Sequence, residues 1–232
     1  MTAIADPRAL AALPLFRGLG EADLAHLAER LRRRNFPAGS HVITAEQPGE
    51  ALYIVESGSV KVYLDELDGS QVIFAFLGPG DSLGEMSLVD HEARSANVVT
   101  LEDSVLLWMD RATFLDCLRT HPVLAYNLVR ELSARLRQAN RQIRALTTLD
   151  VAGRVARQLL GFAAQYGRAA DLGEVRIPLP LSQREIAEIV GATRERVNKV
   201  LVGLKRRGAI SVDPQHRITI HDRAELERLC AG

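Results

Sequence analysis

The spacing of apolar and polar residues changes along the chain and predicts different structures in succession. Residues 9–34 carry apolar positions at helical spacing, and residues 35–39, which include Pro37 and Gly39, end that helix. Between residues 40 and 110, short apolar segments separated by glycines predict strands. The predicted strands are residues 42–43, 52–55, 59–64, 71–77, 97–101 and 104–109. Many short strands with glycine turns are typical of a jelly roll or a barrel.

Helical spacing returns after the strands. A short helix is expected from Asp110 to Thr120, and a long helix from about residue 123 to residue 149. The long helix carries an apolar stripe that advances in steps of three or four residues, formed by Leu128, Leu132, Leu136, Ala139, Ile143 and Leu146. This heptad-like stripe favours a two-chain coiled coil over the alternative, a helix packed only on its own domain. A further helix is expected over Val151–Tyr166, with Asp150 as its N-cap.

Two short helices joined by a glycine-containing turn are expected near the C-terminal end. The four residues that begin at Ser182 fit a capping box, which marks the start of the first helix, and Gly191 ends it. Thr193 is expected to cap the second helix, over residues 194–207. Together they predict a helix-turn-helix. A hairpin, or wing, is expected to follow at residues 210–212 and 217–220.

The second helix of this pair turns polar residues outward near its N-terminal end, namely Arg194, Glu195, Asn198 and Lys199. In a helix-turn-helix this end reaches the base edges of the major groove. Arginine can bind guanine O6 and N7 there, and glutamate can accept a hydrogen bond from cytosine N4. The alternative is a solvated helix face with pairing between Glu195 and Lys199. The predicted DNA-binding set also includes residues at the two helix starts, Ser182, Gln183 and Thr193.

The net charge of zero conceals two parts of opposite sign. Residues 1–150 hold fifteen Lys or Arg against twenty Asp or Glu, a net of −5, whereas residues 151–232 hold fourteen against nine, a net of +5. A polyanion is therefore expected to meet only the second part. Cys117 and Cys230 form no metal-ligand or disulfide pattern. No signal-like N-terminus or long apolar run is visible, so a cytoplasmic protein without membrane contact is expected.

Residues 84–96, GEMSLVDHEARSA, carry groups that suit a sugar phosphate. A glycine such as Gly84 lets backbone N–H groups approach an anion. The guanidinium of Arg94 matches phosphate oxygens, with the Ser95 hydroxyl beside it. A phosphate would repel Glu85, but this carboxylate can accept hydrogen bonds from a sugar hydroxyl. The alternative is a surface turn in which the arginine and the glutamate pair with each other.

This segment resembles the phosphate-binding cassette of cyclic-nucleotide-binding domains. The resemblance implies that Gly84 and Glu85 contact the ribose, while Arg94 and Ser95 hold the cyclic phosphate. It extends over the whole strand region, because three further segments are similar to the barrel of those domains. They are residues 37–39, 52–58 and 78–81.

Residues 185–197, EIAEIVGATRERV, resemble the DNA-reading unit of the catabolite activator (cyclic-AMP receptor protein/fumarate-nitrate regulator) family. The base-reading positions of the cyclic-AMP receptor protein fall on Arg194, Glu195 and Lys199. Lysine at the last position departs from the arginine found there in that protein. Because lysine is a point charge rather than a fork, the resemblance implies looser reading of that guanine.

The resemblance implies an α+β fold in three parts. These are an N-terminal cyclic-nucleotide-binding β jelly roll at residues 1–122, a long dimerisation helix at 123–149, and a C-terminal winged helix-turn-helix at 150–232. In the long helix the adenine contacts of the relatives fall on Ala139, which offers no hydrogen bond, and on Asn140, which can meet the adenine 6-amino group and N7.

The implied function is that of a homodimeric transcription regulator that binds cyclic AMP and palindromic, TGTGA-like sites in double-stranded DNA. RNA polymerase is expected as a further partner, and no catalytic residue, metal site or cofactor is expected. One alternative is a regulator of the same fold with another effector or none, and another is an architectural protein that bends DNA without a signal. An enzyme is disfavoured, because the sequence shows no nucleophile–base pair and leaves no length for a catalytic domain.

Overall fold

The computed structural model describes residues 6–170 and 173–231. The chain divides into two compact units, one formed by Met1–Leu64 and Phe74–Leu136 and the other by Asp65–Ile73 and Arg137–Gly232. The first unit holds most of two sheets with helices around them, and the second holds the C-terminal helices with a third, small sheet. Among the described residues, no helix combines the length and the hydrophobicity that crossing a bilayer requires.

The first unit begins with short helices whose apolar residues are buried. They are α1 Pro7–Ala11, a single 3-10 turn Pro14–Phe16, and α2 Glu21–Arg30. The helical prediction for residues 9–34 is therefore right only as far as Arg30. Beyond that residue the backbone becomes extended.

The strands of the first unit form two four-stranded antiparallel sheets. The strands are β1 Arg32–Phe36, β2 His41–Ile43, β3 Ala51–Ser57, β4 Val60–Asp65, β5 Gln71–Leu77, β6 Ser82–Leu83, β7 Asn97–Thr100 and β8 Ser104–Asp110. One sheet has the order β1-β8-β3-β6 and the other the order β2-β7-β4-β5. A short helix, α3 Glu85–Val89, separates β6 from β7. The predicted β-rich jelly roll is confirmed.

Strand β1 occupies a segment for which the sequence predicts the end of a helix. It pairs antiparallel with β8 at the edge of its sheet. The Arg33 guanidinium donates to Glu56 at 2.7 Å, and the Arg34 guanidinium lies 5.9 Å from the Trp108 ring centroid. Contacts with residues distant in the sequence therefore stabilise these arginines in a strand. The local sequence does not predict those contacts.

Consecutive residues of the central strands face two different cores. Leu106 belongs to a cluster drawn from both sheets, and Leu107 belongs to a cluster shared with the surrounding helices. The cluster shared by the sheets contains Ile43, Val55, Val60, Leu77, Leu83, Val98 and Leu106. The alternation is what a strand buried on both faces requires, because neighbouring side chains point to opposite sides.

Helix α4 spans Arg111–Thr120 and helix α5 spans Pro122–Thr148, as the sequence predicts. The start of the apolar stripe on α5 is wrong in the prediction, because Leu128 is only 5% exposed and packs in the core of the first unit. Leu132 also packs partly against that core. The large apolar residues that α5 leaves exposed are Tyr126, Val129, Leu136, Ile143 and Leu146.

The second unit contains the predicted winged helix-turn-helix. Its elements are α6 Val151–Tyr166, β9 Arg168–Ala169, β10 Val175–Ile177, α7 Gln183–Val190, α8 Arg194–Arg206, β11 Ile210–Val212, β12 Ile218–Ile220 and α9 Arg223–Cys230. The strands form one sheet in the order β11-β12-β10-β9. Helix α9 is absent from the sequence prediction, although Asp222 followed by Glu225 is a helix-start signal and the Asp222 carboxylate does accept from the Glu225 N–H.

Candidate functional site

The loop between β6 and α3 requires a glycine. Gly84 adopts the left-handed conformation, with φ of 85°. A Cβ atom at this position would lie 2.5 Å from Arg94 Nη1 and 3.0 Å from the Ala51 carbonyl oxygen. The missing side chain therefore lets the Arg94 guanidinium pass directly against the backbone of the cassette.

Arg94 is a buried cation, with only 8% of the residue exposed. Its Nη1 donates to the Gly84 carbonyl at 2.6 Å and to Ser87 Oγ at 2.8 Å, and its Nη2 donates to the Ala51 carbonyl at 2.7 Å. Among the described residues, these bonds leave the Nε–H and one Nη2–H without an acceptor, and two such groups can form the side-on fork of a guanidinium. That fork matches two oxygens of a phosphate.

Burial also lowers the pKa of the Arg94 guanidinium below its ordinary value. The side chains of Tyr53, Glu85 and Glu50 act in the opposite direction through their charges. The direction of the shift means that the buried cation is incompletely compensated by its surroundings. An anion bound at the fork would supply the missing compensation.

Glu85 is 3% exposed and its two carboxylate oxygens have different surroundings. Oε1 accepts a hydrogen bond from Arg135 Nη1 at 2.8 Å. Oε2 is buried and has no hydrogen-bond partner among the residues that the structure describes. The alternative of a surface turn is wrong, because Glu85 and Arg94 are both buried and Glu85 pairs with α5 instead.

Helix α5 supplies two further side chains to this cluster within the first unit. Arg135 donates to the carbonyl and the hydroxyl of Ser82 as well as to Glu85. Glu131 accepts from Ser82 Oγ through Oε2 at 2.8 Å, while its Oε1 is buried without a partner among the described residues. Burial raises the pKa of the Glu131 carboxyl, and Asp81 and Glu85 raise it further. Ser82 and Arg135 act in the opposite direction.

The starts of α7 and α8 are capped as the sequence predicts. Ser182 and Glu185 form a capping box, in which Ser182 Oγ accepts from the Glu185 N–H at 3.2 Å and Glu185 Oε2 accepts from the Ser182 N–H at 3.0 Å. Gly191 ends α7 in the left-handed conformation, with φ of 62°. Thr193 Oγ1 accepts from the Arg196 N–H and so caps α8. The hydroxyls of both N-cap residues are therefore engaged in holding the helices.

Helix α8 presents exposed polar residues beside its buried apolar residues. Arg194, Glu195 and Lys199 are exposed and Asn198 is half-buried, while Val197, Leu201 and Leu204 are buried in the unit. Hydrogen bonds from its own backbone N–H and from Thr193 lower the pKa of Glu195, as do the charges of Arg194 and Lys199. Glu195 is consequently an acceptor at neutral pH.

Both halves of the chain match known families. Residues 33–121 match the model of the cyclic nucleotide-binding domain, and residues 153–229 match the model of the Crp-like helix-turn-helix domain. The CRP-like cAMP-activated global transcriptional regulator of Mycobacterium tuberculosis is 35% identical over 219 residues, which cover 94% of this chain and 97% of that protein.

The chain belongs to the CRP/FNR family of transcription regulators.

Two solved structures are similar to this chain. The catabolite activator protein of Thermus thermophilus is 34% identical, with a TM-score of 0.53 over 94% of this chain and 99% of that one. The c-di-GMP-responsive global regulator CLP of Xanthomonas campestris is 24% identical, with a TM-score of 0.71 over 87% of this chain and 99% of that one, and it shows the fold alone.

Within this CRP/FNR chain, the structure brings Gly84, Glu85 and Arg94 together. Ser95 follows Arg94 and is exposed. Asn140 is also exposed and lies on α5 in the second compact unit, so its role in base recognition stays a prediction. Arg135 of α5 is a site residue that the sequence does not predict. The only available signal was its spacing of four residues from Glu131, which places both on one face of the helix.

Proposed function

We propose that this CRP/FNR-family chain is a cyclic-AMP-responsive, sequence-specific DNA-binding regulator that acts as a homodimer. The proposal assigns effector binding to residues 1–122, dimerisation to residues 123–149 and DNA binding to residues 150–232. As a DNA-binding regulator of this family, it would act in the cytoplasm. RNA polymerase is the partner through which a regulator bound at a promoter would act.

The observation that carries the effector assignment is the pairing of a buried cation with a buried, unpartnered acceptor. Among the residues that the structure describes, Arg94 keeps two N–H groups without an acceptor, and Glu85 keeps a carboxylate oxygen without a hydrogen-bond donor. A cyclic phosphate satisfies the fork, and a ribose hydroxyl satisfies the carboxylate. A cyclic nucleotide contains both groups at short separation, whereas inorganic phosphate or a free sugar contains only one.

Adenine is the base that we assign to the effector. An asparagine such as Asn140 can accept from the adenine 6-amino group and donate to N7. Guanine offers O6 in place of the amino group and would leave the asparagine oxygen without a donor. The names of the Mycobacterium tuberculosis and Thermus thermophilus relatives also contain cyclic AMP. A second effector, cyclic di-GMP, is a rival because the regulator from Xanthomonas campestris is named for it.

The apolar stripe of α5 supports the homodimer. Val129, Leu136 and Ile143 are between 59% and 63% exposed and follow one another at seven-residue intervals. An α-helix returns to nearly the same face after seven residues, so these side chains form one seam. Large apolar groups in such a row are costly in water, and a second α5 helix would cover them.

The DNA target that we propose is a palindrome with TGTGA-like half-sites. Arg194, Glu195 and Lys199 occupy the base-reading positions of the family on the exposed face of α8. A two-fold symmetric dimer presents two such helices, and helix-turn-helix dimers of this kind read half-sites about 34 Å apart. Gln183, Asn198 and the backbone at Ser182 and Thr193 complete the proposed interface.

Effector binding would change DNA binding through α5. This helix carries Arg135, which holds the candidate ribose-binding Glu85, and it also carries the proposed dimer seam. A nucleotide hydroxyl that donates to Oε2 of Glu85 would add a contact to the carboxylate that pairs with Arg135 through Oε1. It can shift the population of α5 arrangements only if it binds one of them better.

Calorimetric titration of the full chain with cyclic AMP, cyclic GMP and cyclic di-GMP tests the effector assignment. We expect cyclic AMP to bind, cyclic GMP to bind at least tenfold more weakly through loss of the Asn140 contact, and Asn140→Ala to remove most of that difference. Binding of cyclic di-GMP alone would replace our effector with the rival. Absence of binding for all three would remove the effector assignment.

A further inference from the structure

The carboxyl group of Glu131 is withdrawn from water and only half satisfied by hydrogen bonds. Ser82 Oγ donates to Oε2 of Glu131 at 2.8 Å, and Ser82 itself is fully buried. Oε1 of Glu131 is buried and has no hydrogen-bond partner among the residues that the structure describes. Burial without full hydrogen bonding favours the uncharged form of a carboxyl group. The protonation of Glu131 is therefore sensitive to any charge that is added nearby.

The charged groups around Glu131 come from the start of β6, from α3 and from α5. Asp81 immediately precedes β6, Glu85 begins α3, and Arg135 lies one turn further along α5. Burial raises the pKa of the Glu131 carboxyl most, and the negative charges of Asp81 and Glu85 add to that effect. The Ser82 hydroxyl and the Arg135 charge act in the opposite direction. The direct partner of Arg135 is Glu85, at 2.8 Å, so Arg135 acts on Glu131 through its charge.

The proposed effector would reduce the positive charge in this cluster. A cyclic phosphate carries one negative charge, and at the fork of Arg94 it neutralises the cation that Glu85 otherwise faces. A ribose hydroxyl that donates to Glu85 keeps that carboxylate ionised. The bound nucleotide also displaces water, which strengthens the repulsion between the remaining negative charges. Each of these changes favours the protonated form of Glu131 over the ionised form.

We propose that Glu131 takes up a proton when a cyclic nucleotide binds, so that effector affinity increases as the pH falls. This inference rests on the proposed function, and it adds pH regulation to the effector site. By linkage, the state that binds more protons is favoured at lower pH. Uptake begins as the pH falls through the pKa of Glu131 in the nucleotide-bound state. It disappears below the pKa of Glu131 in the free protein, which is itself raised above the ordinary value of 4.5.

Proton uptake is measured by calorimetric titration of the full chain with cyclic AMP in buffers of different ionisation enthalpy. The buffer supplies the proton and contributes its own heat, so the observed enthalpy changes from buffer to buffer in proportion to the number of protons taken up. Titrations between about pH 5 and 8 cover a range in which the cyclic phosphate stays a monoanion. Phosphate buffer is left out, because it can occupy the Arg94 fork.

Three variants separate protonation from packing. Glu131→Gln has nearly the same shape and can accept from Ser82, but it cannot take up a proton. Ser82→Ala keeps the carboxyl group and removes its donor, which should move the pH of greatest uptake upward. Glu29→Gln makes the same chemical change as Glu131→Gln at an exposed position on α2 and is the matched control. Thermal unfolding verifies that each variant folds.

For the wild type we expect uptake of about half a proton at its maximum and binding up to about tenfold tighter at the acidic end of the range, which together correspond to a tenfold gain in the proton affinity of Glu131. Glu29→Gln should match the wild type. Glu131→Gln should bind cyclic AMP without linked uptake and with an affinity that does not depend on pH. A purely structural role for Glu131 would lower the affinity equally at every pH and leave the uptake in place.

Nucleotide binding by the wild type without proton uptake overturns the inference and leaves the proposed function standing, as does unchanged uptake in Glu131→Gln. If Glu131→Gln does not fold, Ser82→Ala decides, and an unmoved pH of greatest uptake overturns the inference. Absence of cyclic AMP binding by the wild type at every pH would instead refute the proposed effector, and the inference with it.

Discussion

Replacement of Arg94 by leucine should damage both effector binding and stability, and the structure separates the two effects. The cyclic phosphate would lose its hydrogen bonds to the two N–H groups of the fork. Hydrogen bonds to charged groups contribute about 1.5–3 kcal/mol each. The loss of affinity is therefore about 3–6 kcal/mol, or more than a hundredfold. The same change leaves the Gly84 and Ala51 carbonyls without their donor, at about 1–3 kcal/mol for each buried group.

Calorimetry with cyclic AMP measures the first effect, and chemical unfolding followed by circular dichroism measures the second. Arg94→Lys keeps the positive charge without the fork, so its affinity should fall between the wild type and Arg94→Leu, with a smaller loss of stability. Arg119→Leu is the control, because Arg119 is exposed on α4, and it should change the free energy of unfolding by less than about 0.5 kcal/mol. Wild-type affinity in folded Arg94→Leu and Arg94→Lys would refute the phosphate-binding role.

Three other predictions concern the seam, the buried carboxyl and the DNA face. Leu136→Asp should give monomers in light scattering, because it places two carboxylates in the proposed dimer seam. Leu67→Asp, at an exposed hairpin, is the control and should leave the dimer intact. A dimeric Leu136→Asp variant would contradict the seam. Because the pKa of Glu131 is raised, its stabilising contribution is full below the ordinary value of 4.5 and is lost as the pH rises through the folded-state pKa. Glu131→Gln should therefore lose less thermal stability than the wild type as the pH rises above about 4.5, and parallel pH profiles would oppose this. Arg194→Ala should reduce the free energy of DNA binding by about 1–3 kcal/mol and relax the preference for guanine at the position that Arg194 reads. Lys205→Ala should weaken binding to all duplexes equally and lower the salt dependence of that binding. Equal effects of the two variants on base preference would contradict both roles.

Features specified by neighbouring residues could be predicted from the sequence. The capping box at Ser182, the left-handed Gly191 and the Thr193 cap depend on residues within one helical turn, so local sequence contains the information. The same is true of β3 and β5, whose short apolar segments end at Gly58 and Gly78. The cassette could be recognised because Gly84, Glu85 and Arg94 lie within a single segment.

Features that depend on distant partners could not be predicted. Strand β1 is rich in arginine and becomes a strand because β8, about seventy residues away, pairs with it. Leu128 and Val129 are adjacent and both apolar, and only the core of the first unit determines that Leu128 is buried and Val129 exposed. The same holds for Arg135, which looks like any solvated helix residue until the fold brings Glu85 to it.

Cyclic AMP is proposed to gate sequence-specific DNA binding by this protein. The most direct test is the fluorescence anisotropy of a labelled TGTGA–N6–TCACA duplex titrated with the full chain, without nucleotide and at saturating cyclic AMP, alongside a duplex with both half-sites scrambled. We expect a rise of about tenfold or more in affinity for the palindrome when cyclic AMP is present and little change for the scrambled duplex. Identical binding with and without the nucleotide, or equal affinity for both duplexes, would contradict it.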